Sequence, residues 1–483
     1  LQFDGIYNQS EVWVNGRKAA FNVYGYMPYR VRLNDCFGPD GRAVIAVKAV
    51  NEGLNSRWYA GSGMMRHVWI ETTNKMHLSP WDIFVDASDV DLKRGTASVR
   101  VSATMYNMPL PKSAGSLCVD IYGPDGRQVA HGESPFVMDE QPLHVKCEPL
   151  VIKNVKLWSV DTPWRYTAHI SLRKNGNQEC DRLVIPFGAR RIEWSAREGF
   201  RLNGRPMKLR GGCVHHDNGL LGAAGIDRAE VHKVEQFRQM GYNAVRCSHN
   251  LPTEAFLNAC DSLGLLVIDE VFDQWEEAKR RHDYSNYFSQ PKLTLRDGQL
   301  VALDGRTNAE HDVALMVRRD RNHPSVIMWS IGNEIAQRAD VPRGQEIAKM
   351  LTSTIHQFDM TRPTTIAAND FWDRRQFKWD RDMYRAFEQV DWAGYNYKWD
   401  RYEPDHVAYP ERVIYGTESF PKEMAQNWHL IEQHPYLIGD FVWTAIDYVG
   451  EAGLGHTLER SDNRWVQFLS WPWFNAWCGD LDL

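Results

Sequence analysis

Two glutamates at the ends of apolar runs carry the strongest chemical signal in the sequence. Residues 326–334 read Val-Ile-Met-Trp-Ser-Ile-Gly-Asn-Glu, apolar enough for a strand buried on both faces. The run closes on Asn333 and Glu334. Glu418 closes a second one, Val-Ile-Tyr-Gly-Thr at 413–417. In parallel α/β sheets and barrels, the carboxyl ends of the strands are where chemistry is presented. Two carboxylates facing each other across a barrel mouth suit glycoside hydrolysis, in which one protonates the leaving oxygen and the other attacks or stabilises the anomeric carbon. A separation of about 5–5.5 Å would retain anomeric configuration, and one of about 6.5–9.5 Å would invert it.

Other polar residues fall at the ends of similar runs: His215, His216 and Asp217; Arg246, His249 and Asn250; Asp269 and Glu270; Asn369 and Asp370; Asn396 and Tyr397; Trp443 and Asp447. Their convergence on one face weighs more than any single residue, since an isolated carboxylate after a strand is more often the N-cap of the next helix. His215, His216, Asp217, His249 and Glu270 would offer metal ligands, but no H-E-x-x-H or comparable spacing is present, so no metal is assigned. Gly61-Ser62-Gly63 lacks the strand-to-helix elbow of a serine nucleophile. Phosphate-loop and dinucleotide signatures are absent, and no cofactor is implied.

The elements that must position these residues begin after Gly188. Strands are expected at 207–211, 244–248, 265–271, 326–333, 364–368, 392–397, 413–417 and 437–444. Helices are expected at 227–240 with a capping-box-like start at Asp227 and Glu230, at 253–263 closed by Gly264, from about 309 to before Pro324, and at 345–358. Eight strands alternating with helices predict a (β/α)₈ barrel over residues 189–483, with a doubly wound sheet as the weaker alternative. The connection at 272–308 is long for a barrel and therefore expected to be functional.

Ahead of the barrel no helical period shows. Residues 1–71 alternate short strands with turns such as Asn15-Gly16 and Asp40-Gly41, reading as a jelly-roll or sandwich unit that lacks its first strands. The Gly-rich loop at 57–63 is equally compatible with a plain connection and a ligand-facing one. Residues 72–188, with turns at Asp125-Gly126 and Asn175-Gly176, read as an immunoglobulin-like β-sandwich without chemistry of its own.

A chain of 483 residues is long enough for two or three cores. A net charge of -6 with mixed signs argues against nucleic acid as a partner, and no apolar stretch approaches the roughly 18 residues of a membrane span. The 8 cysteines form no C-x-x-C pair and read as mostly free, buried thiols. The 19 Trp and 19 Tyr supply the aromatic faces on which sugars stack. Any signal peptide would lie upstream of Leu1, so periplasm and cytoplasm both stay open, as does assembly into a homo-oligomer.

The order of parts resembles glycoside hydrolase family 2. The resemblance rests on Glu-Val-Trp-Val-Asn-Gly at 11–16, Tyr29, Trp58 to Gly63 and Arg66 to Trp69 in the first unit. In the barrel it rests on Arg-Cys-Ser-His-Asn at 246–250, Ser-Ile-Gly-Asn-Glu at 330–334 and Gly-Thr-Glu at 416–418. It implies a retaining exo-β-glycosidase acting on a carbohydrate, with Glu334 as general acid/base and Glu418 as nucleophile. Asn333 would hold the sugar 2-hydroxyl and Tyr397 would keep the nucleophile ionised. His249, Asn250, Asp217 and His216 would meet or orient sugar hydroxyls, and Trp443 would form the floor of the pocket. The segment 439–448 with His215-His216-Asp217 looks closest to β-galactosidases, with a β-glucuronidase or related uronidase as the alternative. A non-catalytic carbohydrate-binding scaffold is the alternative from another class. Asn396-Tyr397-Lys398 spells the uronate clamp but follows the sixth strand; the clamp proper, and the barrel's closing helix, are expected beyond Leu483. The divalent-metal site of some family members finds no match.

Overall fold

The structure is a computed structural model that describes residues 1–448 apart from 35, 108–112, 140–141, 175–177, 297–298, 339–340 and 373. Its centre is a closed barrel of eight parallel strands: β1 (Leu209–Val214), β2 (Ala244–Cys247), β3 (Leu266–Glu270), β4 (Val326–Asn333), β5 (Thr364–Asn369), β6 (Trp392–Asn396), β7 (Val413–Ser419) and β8 (Leu437–Val442). β8 pairs back onto β1, Leu209 opposite Gly439, which closes the ring. All eight predicted strands are present, in sequence order.

Period-two alternation divides each strand between two cores. Ile268 and Met328 point with Trp392, Tyr415 and Phe441 into one cluster. Their neighbours Val267 and Trp329 join a second one with Phe256, Met316 and Leu351 of the surrounding helices. Those helices are α1 (Asp227–Gln239), α2 (Glu254–Leu263), α3 (Asn308–Asp320), α4 (Val341–Phe358), α5 (Trp379–Asp382), α6 (Tyr402–Ala408) and α7 (Met424–Gln433). α2 starts on the Thr253 hydroxyl, which accepts from the Phe256 N–H, and ends on Gly264 at φ 77°, the left-handed cap that glycine adopts without strain. α3 has a full capping box between Thr307 and Glu310. α1 does not. Its cap is Ile226, whose apolar side chain has nothing to cap with; Asp227 meets His67 at 2.6 Å and Glu230 meets Lys233 at 3.1 Å instead.

The long connection after β3, expected as a loop, holds a hairpin, Pro291–Arg296 with Gln299–Thr307. The sandwich ahead of the barrel pairs a five-stranded sheet around Thr96–Asn107 with a four-stranded one around Ser113–Tyr122. Val99, Val101, Leu117 and Ile170 fill the space between them. Arg190, at its end, donates to the carbonyls of Pro324 and Val326 and so fastens the lower end of β4. Residues 1–71 form small antiparallel sheets around Phe3, Ile6, Val12 and Val31. At the Asn15-Gly16 turn both residues have positive φ, 47° and 75°, the type I′ geometry expected of that pair. Among the described residues all seven cysteines are free, five of them buried; Cys478 and the Asn175-Gly176 turn lie outside the described residues.

Candidate active site

The carboxyl end of the barrel is organised by one buried cation. Arg246 on β2 has no exposed surface and donates in three directions: to Glu270 on β3 at 2.7 and 2.9 Å, to Glu418 on β7 at 2.9 Å and to the Asn333 side-chain oxygen on β4 at 3.0 Å. A guanidinium stays charged at any accessible pH and offers a planar fork of donors, so it can satisfy acceptors on several strands at once. Replacing it would leave two buried carboxylates uncompensated.

Glu418 receives a second donor on its other oxygen, the Tyr397 hydroxyl at 2.8 Å. Tyr397 follows β6 with φ at 53°, and its N–H is tied to the Glu418 carbonyl at 2.7 Å. Burial, followed by the negative charge of Glu334, pushes Glu418 up to about 7, against the pull of Arg246 and Tyr397. Glu334 follows β4 with φ at 43°, its N–H bonded to the Ala367 carbonyl at 2.7 Å. Its carboxylate accepts from the Asn396 amide at 3.2 Å, and the same amide reaches the Asn333 oxygen at 3.1 Å. Two non-glycine residues in the left-handed region, each beside a barrel carboxylate, mark conformations that the surrounding contacts must hold in place.

His249 bridges the site's interior and its wall. Its Nδ1 lies 2.6 Å from Glu270, while its Nε2 lies 3.3 Å from the Asn333 amide and 3.8 Å from Glu418. Burial carries it down to about 4 in spite of Glu270, so it is a neutral ring with its proton on Nδ1, assigned from these partners. Trp443 stacks flat on it, centroids 5.2 Å apart at 5°. Trp58, from the first 71 residues, lies edge-on to it at 5.6 Å and stacks on His215 at 4.7 Å. The loop at 57–63 therefore faces the barrel mouth.

The structure thus brings Glu334, Glu418, Asn333, Tyr397, His249 and Trp443 together. His216, Asp217 and Asn250 stand apart from that group. His216 and Asn250 line a separate cavity with Glu230, Lys233 and Phe256, and the Asp217 carbonyl accepts from Lys233 at 2.9 Å. His249 and Glu270 bind each other and His215 packs between rings, so the metal constellation considered from sequence is not assembled. Among the described residues no group of three or more His, Cys, Asp or Glu side chains converges as a metal site.

Asp273 was missed in the sequence. It sits in the connection after β3 and accepts from the Asn333 amide at 3.1 Å, from Lys279 at 2.8 Å and from Arg57 at 2.9 and 2.7 Å. The expectation that this long connection is functional was the available signal, but it did not single out a residue.

A closed parallel barrel whose strand ends present Glu334 and Glu418, the latter held by Arg246, has the layout of a barrel hydrolase site. The chain belongs to glycosyl hydrolases family 2: the family's TIM barrel domain matches residues 196–469, and a further family 2 domain matches 76–190. It is similar to Beta-galactosidase BoGH2A of Bacteroides ovatus, 31% identical over 93% of this chain and 59% of that protein. It is also similar to a putative beta-glucuronidase of Formosa agariphila, 28% identical over 94% of this chain and 45% of that protein. The chain therefore spans about half the length of these relatives. The crystal structure of a family 2 member from Bacteroides cellulosilyticus superposes with a TM-score of 0.85 at 39% identity, covering 93% of this chain and 55% of that one.

Proposed function

We propose that the protein is a retaining exo-β-glycosidase that hydrolyses terminal non-reducing β-linked sugars, with β-D-galactosides as substrates. The observation that carries this reading is the asymmetry of the two carboxylates. Glu418 takes a guanidinium and a phenol, one on each oxygen, donors that favour a charged nucleophile. Glu334 takes a neutral amide and is half-buried, open to a substrate's leaving oxygen. Burial and then repulsion from Glu334 push Glu418 up to about 7, and the guanidinium and phenol pull the other way.

In this reading Glu418 attacks the anomeric carbon as Glu334 protonates the departing oxygen. Glu334 then takes a proton from water, which displaces Glu418 and releases the sugar with its configuration retained. Asn333, Tyr397 and His249 contact the sugar over the Trp443 ring, and His216 and Asn250 line the cavity beside them. The chain is taken as three units, 1–71, 72–188 and 189–483, of which the last carries the chemistry.

One observation favours a galactoside: the more similar of the two relatives above is named a β-galactosidase. The relative named a putative β-glucuronidase supports the second reading, a uronidase of the same family. A scaffold without activity would have no use for two differently furnished carboxylates. Initial rates on aryl β-galactosides, β-glucuronides and β-mannosides, with NMR of the first-formed anomer, test the proposal. Galactoside preference with the β-anomer first supports it; glucuronide preference selects the uronidase, and the α-anomer first overturns retention.

A further inference from the structure

A cleft of about 460 Å³ runs between the amino-terminal sheets and the barrel, with Tyr7, Asn55, Arg57 and Trp58 on one wall and His249 and Asp273 on the other. Arg57 crosses it. Its Nε and Nη2 groups donate to the two oxygens of Asp273 at 2.9 and 2.7 Å, a two-point pairing that fixes the carboxylate plane as a single point charge would not. The Asp273 side chain is only 6% exposed. One of its oxygens also accepts from Lys279 at 2.8 Å and from the Asn333 amide at 3.1 Å, and Lys279 donates again to the Asn333 backbone carbonyl at 2.9 Å.

These contacts decide how Asn333 is presented. On one side its oxygen accepts from Arg246 and Asn396; on the other its amide donates to Asp273 at 3.1 Å and faces His249 Nε2 at 3.3 Å. Turned over, the amide would set its own N–H groups against the Arg246 guanidinium. The residue that follows is Glu334, in the left-handed region at 43°, so the backbone that Lys279 and Asp273 steady leads directly into the carboxylate.

We infer that Arg57 is a positioning residue for the reaction: from the amino-terminal sheets it locks Asp273, and through Asp273 and Lys279 it sets the amide of Asn333 and the placement of Glu334. The inference rests on the proposed glycosidase reading and extends it to a residue outside the barrel. With Arg57 removed, Asp273 keeps Lys279 as a counter-charge on one oxygen, while its other oxygen loses the Arg57 donor and the carboxylate is free to turn.

The test compares wild type, Arg57→Ala, Arg57→Lys and Arg57→Gln in the full chain, using two aryl β-glycosides of the preferred sugar that differ in leaving-group ability. Arg57→Ala is expected to lower kcat by roughly 10- to 100-fold on the poor leaving group, the scale of a misplaced catalytic group, and by much less on the good one. KM should change little. Guanidinium ion at millimolar concentration should restore part of the Arg57→Ala rate, because the Arg57 side chain is 21% exposed and its place is reachable from solvent. Arg57→Lys should recover little, since an ammonium cannot span both oxygens. Arg57→Gln carries the same comparison if the alanine variant does not accumulate folded. Rates equal to wild type on both substrates, or an equal loss on both that guanidinium leaves unmoved, would overturn the inference. A wild-type chain that hydrolyses no β-glycoside would overturn the underlying reading instead.

Discussion

Arg246 settles most of the electrostatics of the strand ends because it is the cation shared by Glu270, Glu418 and Asn333. Tyr397 completes the arrangement on the far oxygen of Glu418. A hydrogen bond to a charged group is worth about 1.5–3 kcal/mol, or roughly 10- to 100-fold in rate if it acts on the nucleophile. Tyr397→Phe is therefore expected to lower kcat/KM by about that factor. It should also move the acid limb of the kcat/KM profile to higher pH, since losing a donor raises Glu418 above its present value of about 7 and the nucleophile works only when ionised. An unmoved acid limb would remove Tyr397 from that role. Glu334→Gln should keep far more activity on substrates with very good leaving groups than on poor ones, as measured by kcat on a graded aryl series; equal losses across the series would take Glu334 out of the acid role. Both glutamates were legible because each ends a buried apolar strand, where a charge has no structural reason to be. Asp273 and Arg57 were not. They meet across 216 residues of sequence, in two connections with no periodicity, and only the folded chain puts them together.

At the scale of elements, the barrel reads well from sequence because both faces of each strand are buried, so runs such as 265–268 and 326–329 contain little but apolar residues. Helix starts read less well. Thr307 and Glu310 make the capping box that α1 lacks, and Asp227 and Glu230 show why pattern alone misleads: the cap position falls on Ile226, and those carboxylates meet a neighbouring histidine and a buried lysine instead. The pairing of 291–296 with 299–307 is less legible, because both strands lie inside a connection that is long for a barrel. Thr307→Ala is expected to cost α3 about 1 kcal/mol, read as faster amide exchange in its first turn; unchanged exchange there would mean that packing against α4, and not the cap, holds this end. Gly416 on β7 admits no side chain, since a Cβ there would lie 1.9 Å from the Asp440 carboxylate and 2.7 Å from the Tyr402 hydroxyl. Strand β7 can thus bring Glu418 to the mouth only with glycine two residues earlier.

Over the whole molecule, the parts ahead of the barrel do more than precede it. Arg190, just past the sandwich, fastens the lower end of β4, and the amino-terminal sheets reach its upper end through Arg57 and Asp273. The strand that ends in Glu334 is held at both ends from outside the barrel. This division of labour is not legible in the sequence, where 72–188 reads only as a sandwich with dispersed titratable residues. The buried charges predict how the fold responds to acid. Burial pushes Glu270, Asp273 and Asp312 up, but Arg246, Arg57 and Lys292 respectively prevail and hold all three below the ordinary range. Groups depressed in the folded state contribute stability that is complete above their unfolded values near about 4 and is lost as pH falls through the folded ones. Urea unfolding should accordingly show stability falling steeply below about pH 4, and a flat profile there would contradict the pairing. The account's central claim is that Glu418 becomes covalently attached to the sugar, and the most direct measurement is mass spectrometry of the chain after incubation with 2-deoxy-2-fluoro β-galactosides and β-glucuronides. The account predicts a single adduct on the peptide containing Glu418, formed fastest with the galactoside; an adduct on any other peptide would contradict it.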